Sequence, residues 1–431
     1  MIIQDRHARI LAKLQEKDFV EVGELSQSLQ VSVETIRRDL NTLESANLLR
    51  RVHGGAVPIS AASPAQSFKA ATVPASVAPA DCAWFSPARP PFRLYGFPFY
   101  ETDGVYRRYP LNPPQPLPSA VEDLAWCSSG GQIHFHAKTS QVYIRVKTAR
   151  PAEVGYNLLP LSGSGFDLYA SDGDGVFTLC GVTRFDPATD CYEAKLLKME
   201  EAKELDLIIH FPINTRVESV LIGLDRECVL KSPVSFANQK RILIYGGSIM
   251  HGFCASRPGM TMPNILSRRL NREVINMGVN GNAKCEREAA LSVRMVKNVE
   301  WFIISPEGNA PSLDWLRQHM TEFIRLYRET NPDVKIVVMS YMRESRERFD
   351  DFARRLRLEK KQCQMEIVES FRAQGDSNIF FWDGEEFSAG DEDLVFDGFH
   401  AAEECTTDTQ HKSDLGFWMM ANAICRRIQG N

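Results

Sequence analysis

The chain has 431 residues, 44% of them hydrophobic and 24% charged, with a formal net charge of −5. That length accommodates two or three domains with cores of their own, and the composition is that of ordinary globular protein. The charge excludes a global attraction to nucleic acid or anionic lipid, and no apolar run is long enough to span a bilayer.

Residues 1–56 carry a helical pattern with a short β tail. Ile10, Leu11 and Leu14 recur at helical spacing, and Val22, Leu25 and Leu29 mark a second helix. Ser32 stands where an N-cap belongs, ahead of a third helix whose buried stripe is Ile36, Leu40 and Leu43. Thr35, Arg37 and Arg38 fall off that stripe, and Leu48 to Gly55 reads as a hairpin wing carrying Arg51 and His53. A helix presenting Arg and Thr, backed by a basic wing, suits a DNA major groove; a small helical bundle with solvated arginines suits the pattern equally well. Val31-Ser-Val-Glu-Thr-Ile-Arg-Arg-Asp-Leu40 and Arg51-Val-His-Gly-Gly-Ala56 closely resemble the winged helix-turn-helix of DeoR-type bacterial repressors. The resemblance implies binding of double-stranded DNA through Thr35, Arg37, Arg38, Arg51 and His53, and a homodimer spanning two half-sites.

Residues 57–80 are rich in Ala, Pro and Ser and predict a flexible linker. Residues 81–235 turn to β character. Ile133–Ala137, Val142–Lys147 and Leu205–Phe211 are short apolar or alternating runs separated by Gly- and Ser-rich turns, which predicts a β-sandwich or jelly roll. His134, His136 and Cys127 read as ordinary strand residues rather than metal ligands.

Residues 236–431 alternate strand-like runs (242–245, 274–277, 301–304, 336–339, 379–382) with helical ones (263–270, 286–296, 313–329, 343–374, 417–428). This predicts an α/β three-layer, flavodoxin-like domain with a parallel sheet between helices, whose ligands bind beyond the C-terminal strand ends. The first strand ends in Gly246-Gly247-Ser248, a tight turn that presents a serine at that edge. A serine hydroxyl needs a base to become a nucleophile. Asp408 and His411 sit three residues apart ahead of the last helix, so one loop can supply the base and the carboxylate that orients it. Asn276–Asn282 and Pro306–Pro311 follow the second and third strands and reach the same sheet edge, where donors to an oxyanion are needed.

Gly246–Met260, Asn276–Asn282, Glu307–Asn309 and Cys405–Phe417 resemble the four blocks of an SGNH (GDSL-like) hydrolase of the carbohydrate-esterase branch, and Gly165-Phe-Asp-Leu-Tyr169 resembles the GxDLY signature that precedes such domains. The resemblance covers about residues 90–431. It implies Ser248 as nucleophile, His411 as base, Asp408 as its partner, and Ser248, Gly281 and Asn309 as the oxyanion hole, without metal or organic cofactor. Three departures stand out: Gly247 replaces an acid of the broader family, Ser305 stands where relatives tend to carry aspartate, and the usual Asp-Gly-x-His-Pro reads Asp408-Thr-Gln-His-Lys412, which predicts a less rigid loop beside the base. Asp397-Gly-Phe-His400 copies the Asp-x-x-His spacing, but the block leading into the last helix follows His411.

The expected function is hydrolysis of small acyl esters, acetyl esters of carbohydrates above all, with a DNA-binding module at the N-terminus. The alternative is a DeoR-like regulator that uses the hydrolase-like domain as a sugar or ester sensor. Ten cysteines without a CxxC pair, and opening residues that carry no signal-peptide pattern, predict free thiols and a cytoplasmic location without membrane attachment.

Overall fold

The computed structural model describes residues 3–17, 19–45, 49–52, 55–57, 78–387 and 405–430. The chain divides into two compact units, on either side of residues 73 and 74.

In the first unit, helices α1 (Ile3–Glu16), α2 (Val22–Leu29) and α3 (Val33–Ser45) pack with strands β1 (Val20–Glu21), β2 (Arg50–Val52) and β3 (Gly55–Val57). The strands form an antiparallel sheet in the order β1-β3-β2. Ile10, Leu14, Leu25, Leu29, Ile36, Leu40 and Leu43 make its core, the stripe that helical spacing predicts. Ser32 Oγ accepts the Thr35 amide at 3.2 Å and caps α3. Arg6 of α1 pairs with Asp39 of α3, both buried, and the guanidinium together with His7 holds that carboxyl below its usual range against the cost of burial. Most of the linker expected at 57–80 lies outside the described residues.

The second unit opens with β4 (Cys82–Phe85), β5 (Arg93–Tyr95), β6 (Gln132–Thr148), β7 (Asp167–Ser171), β8 (Thr178–Val182), β9 (Cys191–His210), β10 (Val217–Asp225) and β11 (Val229–Lys231), with short helices α4 (Tyr100–Asp103), α5 (Ser119–Ala125) and α6 (Pro160–Ser164) between them. The strands form one eight-stranded hydrogen-bonded sheet, along the path β4-β10-β6-β9-β7-β8, with β5 and β11 also on β6. The separate sheets of a sandwich, expected from short strands, are not what the hydrogen bonding shows. β6 and β9 run for 17 and 20 residues and pair almost end to end, through shifts at Thr139/Gln141 and Val142/Tyr143. The polar stretch Lys138–Gln141 interrupts the apolar pattern, and there the ladder jumps from Thr139 opposite Lys203 to Gln141 opposite Lys198, with the Ser140 amide donating to Asp225 instead.

The α/β region follows in the same unit. β12 (Asn238–Gly246), β13 (Arg272–Asn276), β14 (Val299–Ser305), β15 (Lys335–Met339) and β16 (Ile379–Trp382) form a parallel sheet in the order β13-β12-β14-β15-β16. Between and after them run α7 (Ser248–His251), α8 (Met262–Leu270), α9 (Arg287–Val293), α10 (Leu313–Arg328), α11 (Asp351–Ala373) and α12 (Asp414–Gln429). Strand alternation divides the core. Leu243 and Tyr245 face a cluster with Ala289, Leu316, Phe323 and Ile367, while Ile242 and Ile244 face one with Ile265, Leu266, Phe417 and Met420. This is the helix–sheet–helix layering that the alternation predicts. The single helix expected over 343–374 is split: Ser345–Arg348 forms a 3₁₀ turn, and α11 starts afresh with Asp350 Oδ1 accepting the Ala353 amide at 3.0 Å.

Arg108 joins the two regions of this unit. Its guanidinium is fully buried and donates to the carbonyls of Cys127 (2.6 Å), Leu124 (2.7 Å), Asn276 (3.0 Å) and Gly278 (2.6 Å). Burial pulls its pKa down from the usual arginine value. Replacing it leaves four buried acceptors to find other donors, at about 1–3 kcal/mol for each that fails. Arg108→Met is therefore expected to lower unfolding stability by at least ~3 kcal/mol in chemical denaturation.

Candidate active site

Ser248 is delivered by the sheet itself. β12 ends at Gly246, Gly247 adopts an extended conformation, and Ser248 opens the four-residue turn α7. Gly246 is sterically required, since a Cβ there would lie 2.5 Å from the Ser305 carbonyl, whereas one on Gly247 would lie 2.5 Å from Asn309 Oδ1 and displace that side chain. Ser248 is only 7% exposed.

The loop that carries the other two residues begins after Cys405. His411 Nε2 lies 2.9 Å from Ser248 Oγ, and His411 Nδ1 lies 2.8 Å from Asp408 Oδ2. Asp408 Oδ1 accepts the His411 amide at 2.8 Å and the Gln410 amide at 3.3 Å. Burial would raise the Asp408 carboxyl, but the His411 amide and ring and the Asn157 side chain outweigh it and hold the group at about 2. It is ionised throughout the physiological range. The Phe253 ring meets His411 edge-on, with centroids 5.4 Å apart.

The altered loop proves well tied down. Thr406 and Lys412 form a β-bridge, the Thr407 amide donates to the His411 carbonyl at 2.8 Å, and the Ser413 amide donates to the Cys405 carbonyl at 2.9 Å. The missing glycine is felt instead as strain: Thr409, in its place, sits at φ +71°. Lys412, in place of proline, is 2% exposed, and burial lowers its pKa to about 8.

The cleft beside Ser248 has about 380 Å³ of empty volume, and its lining includes Gly247, Ser305, Asn309, Tyr341 and Gln410. Asn309 Oδ1 accepts the Ala283 amide at 3.2 Å, which leaves its Nδ2 as a donor. Gly281 occupies an exposed turn at φ +69° and does not line this cleft. Beneath Asn309, Glu307 is fully buried with one oxygen accepting the Tyr341 amide at 2.6 Å, and burial pushes its carboxyl up to about 8.

Asp167 and Tyr169 of the Gly165–Tyr169 segment clasp the chain just after the serine. Asp167 accepts the Gly259 amide at 2.7 Å and pairs with His210 at 2.7 Å, while Arg257 donates to the Tyr169 hydroxyl at 3.2 Å. Asp414, at the start of α12, accepts the Ser256 amide at 2.8 Å. His251 lies on the same turn as the serine. Burial and the neighbouring Arg108 lower its pKa to about 3, so a neutral ring donates from Nε2 to the Ile213 carbonyl at 2.6 Å.

Two contributions escape sequence reasoning. Asn157 Nδ2 donates to Asp408 Oδ2 at 2.7 Å, across 251 residues of chain, and no spacing rule links them. Cys254, at φ +75°, brings its sulfur within 4.8 Å of ligating atoms of Asp408 and His411. Burial first, and then Asp408, push that thiol up to about 12, so it stays protonated. His134 and His136 are engaged by Gln132 (2.7 Å) and Asp206 (2.9 Å).

In the first unit, α3 carries Thr35, Arg37 and Arg38, and β2 carries Arg51. Arg38 is exposed, and Thr35 is half-buried with its hydroxyl 2.9 Å from Ser32 Oγ. His53 lies outside the described residues, as do Asp397 and His400.

Comparison with known proteins defines the class. Residues 239–429 match the GDSL-like Lipase/Acylhydrolase family, residues 82–230 match the N-terminus of Esterase_SGNH_hydro-type (GxDLY), and residues 6–62 match the DeoR-like helix-turn-helix domain. The chain therefore combines a GDSL-like acylhydrolase domain, the N-terminal region that precedes it in such esterases, and a DeoR-like helix-turn-helix. A candidate GDSL-like lipase from Bacteroides ovatus ATCC 8483 superimposes with a TM-score of 0.72 at 25% identity, over 81% of this chain and 97% of that one. The salicylyl-acyltransferase SsfX3 of a tetracycline biosynthetic pathway shares the fold, with a TM-score of 0.61 at 14% identity over 82% and 98% of the two chains. The transcriptional repressor AccR of Agrobacterium fabrum (strain C58 / ATCC 33970) is 50% identical over 56 residues, which are 13% of this chain and 22% of that repressor. The chain thus spans about a fifth of the length of that curated relative. Among the described residues, no helix is long and apolar enough to cross a membrane.

Relief of the strain at Thr409 gives a direct test of the loop. A β-branched residue in the left-handed region costs about 1–2 kcal/mol, against about 0.5–1 kcal/mol of added chain entropy for glycine. Thr409→Gly is expected to raise stability by up to ~1 kcal/mol, read as a higher denaturant midpoint with an unchanged slope.

Proposed function

We propose that the chain is a serine esterase hydrolysing small acyl esters, acetyl above all, carried on carbohydrates. The observation that carries this reading is the unbroken row from Ser248 Oγ through His411 to Asp408, with separations of 2.9 and 2.8 Å. His411 Nε2 takes the serine proton as Oγ attacks the acyl carbon, and Asp408, ionised, holds the ring in the required tautomer and offsets the imidazolium charge. His411 then returns that proton to the departing alcohol. Water, deprotonated by the same imidazole, completes the cycle by attacking the acyl-serine. Negative charge developing on the former carbonyl oxygen meets the Ser248 amide, which the first turn of α7 leaves without a helical acceptor, and the Asn309 amide. The Gly281 amide is assigned to the same hole by family resemblance. The carbohydrate portion rests on the resemblance to the carbohydrate-esterase branch.

A second role is favoured by the exposed Arg38 on a helix-turn-helix of DeoR type. The first unit binds double-stranded DNA, with α3 in the major groove and the wing on the backbone. The protein then acts either as a tethered esterase or as a regulator whose acyl site senses sugar esters.

Turnover of p-nitrophenyl acetate is expected to fall by about 10³–10⁶ in Ser248→Ala and by about 10²–10³ in Asn309→Ala. Wild-type turnover in Ser248→Ala would remove the serine from the mechanism. For the DNA role, fluorescence anisotropy on the full chain with a labelled duplex should show affinity falling steeply with salt, and Arg38→Ala should reduce that salt slope by about one. An affinity indifferent to salt would exclude it.

A further inference from the structure

The strand-rich half of the second unit sends one side chain to the hydrolytic row. Asn157 lies between α6 and the preceding strand β6, on a short loop closed by mutual hydrogen bonds between Gly155 and Leu158 at 3.2 and 3.4 Å. Leu158 is buried and anchors the loop, while Tyr156 is 90% exposed and Val154 is 67% exposed. An asparagine with such neighbours has water within reach. Its amide nevertheless donates to Asp408 Oδ2, the same oxygen that faces His411 Nδ1.

That shared oxygen is what matters. With the His411 and Gln410 amides on Oδ1 and the Asn157 amide on Oδ2, every direction in the carboxylate plane except that toward the imidazole is already taken. The carboxylate cannot rotate away, and a donor on Oδ2 draws off part of the charge that stabilises the imidazolium. We infer that Asn157 is a positioning residue of the hydrolytic site: it fixes the Asp408 carboxylate and limits how strongly His411 holds its proton. This rests on the serine-esterase reading above and extends it, since the acylhydrolase domain then does not complete its own site. Other titratable groups facing Asp408 are the Cys254 thiol and the Tyr341 phenol, both raised by burial and neutral at pH 7. Lys412, next to the base, interacts instead with Cys405 and Glu344.

The test uses two substitutions that keep the side chain's branching and heavy-atom count in the full chain, Asn157→Asp and Asn157→Leu. Both remove the donor, and the first adds a charge. Asn157→Leu is expected to lower kcat on p-nitrophenyl acetate about tenfold with KM within twofold, because substrate is not touched. Asn157→Asp is expected to move the acid limb of the kcat/KM–pH profile upward by half a pH unit or more, since an added negative charge favours the imidazolium. The same upward shift should appear in an NMR titration of the His411 ring in a Ser248→Ala background, a readout that needs no turnover. Wild-type kcat and titration midpoints in both variants, even with a lowered melting temperature, would reduce Asn157 to a loop anchor and overturn the inference. Turnover retained by Ser248→Ala would instead overturn the esterase reading, while the NMR titration still decides the role of Asn157.

Discussion

A charged side chain buried without a carboxylate partner is a costly thing to place in a core, and Arg108 is one. Its guanidinium is satisfied by carbonyl dipoles alone, two from its own region and two from the loop after β13. Those last two, Asn276 and Gly278, belong to the second of the loops that converge on Ser248. Arg108 also lies beside His251, on the same turn as the serine, and together with the larger effect of burial keeps that imidazole neutral; its Nε2 meets the Ile213 carbonyl. One desolvated cation thus fixes the strand-rich region, the loop after β13 and the turn carrying the serine in a single arrangement. The clasp of Asp167 on Gly259 repeats the device on the other side of the turn.

The strand-rich region is structural support for the cleft beside Ser248. The contacts that define the cleft come from loops at the C-terminal edge of the parallel sheet, as expected for an open α/β layer. The contacts that hold those loops come in good part from residues before 220: Arg108, Ser129, Asn157, Asp167, Tyr169 and Ile213. A continuous sheet built on two long strands gives these residues a stiff base.

The elements that sequence makes legible are those whose determinants are local. Alternation of Ile242, Leu243, Ile244 and Tyr245 announces a strand buried on both faces, and the Gly246-Gly247-Ser248 turn announces its abrupt end. Ser248, Asp408, His411 and Asn309 meet at one cleft because each follows a strand or precedes a helix in a regular α/β order. Long-range features are illegible for a matching reason. The pairing of β6 with β9 resumes beyond a register shift at Thr139/Gln141, a long-range match that side-chain patterning does not announce. Asn157 and Arg108 act on partners far along the chain that no spacing encodes. Gly281 belongs to a readable motif and stands on an exposed turn outside the lining of the cleft.

The acidic side chain under Asn309 carries a consequence of its own. Glu307 keeps its proton to about pH 8, so this buried group, two residues before Asn309, is uncharged in neutral solution. As pH rises past that point, the same group becomes a buried anion with one unpartnered oxygen. Because its proton is held more tightly in the folded chain than in the unfolded one, folding loses stability as pH climbs from the ordinary carboxyl range to about 8.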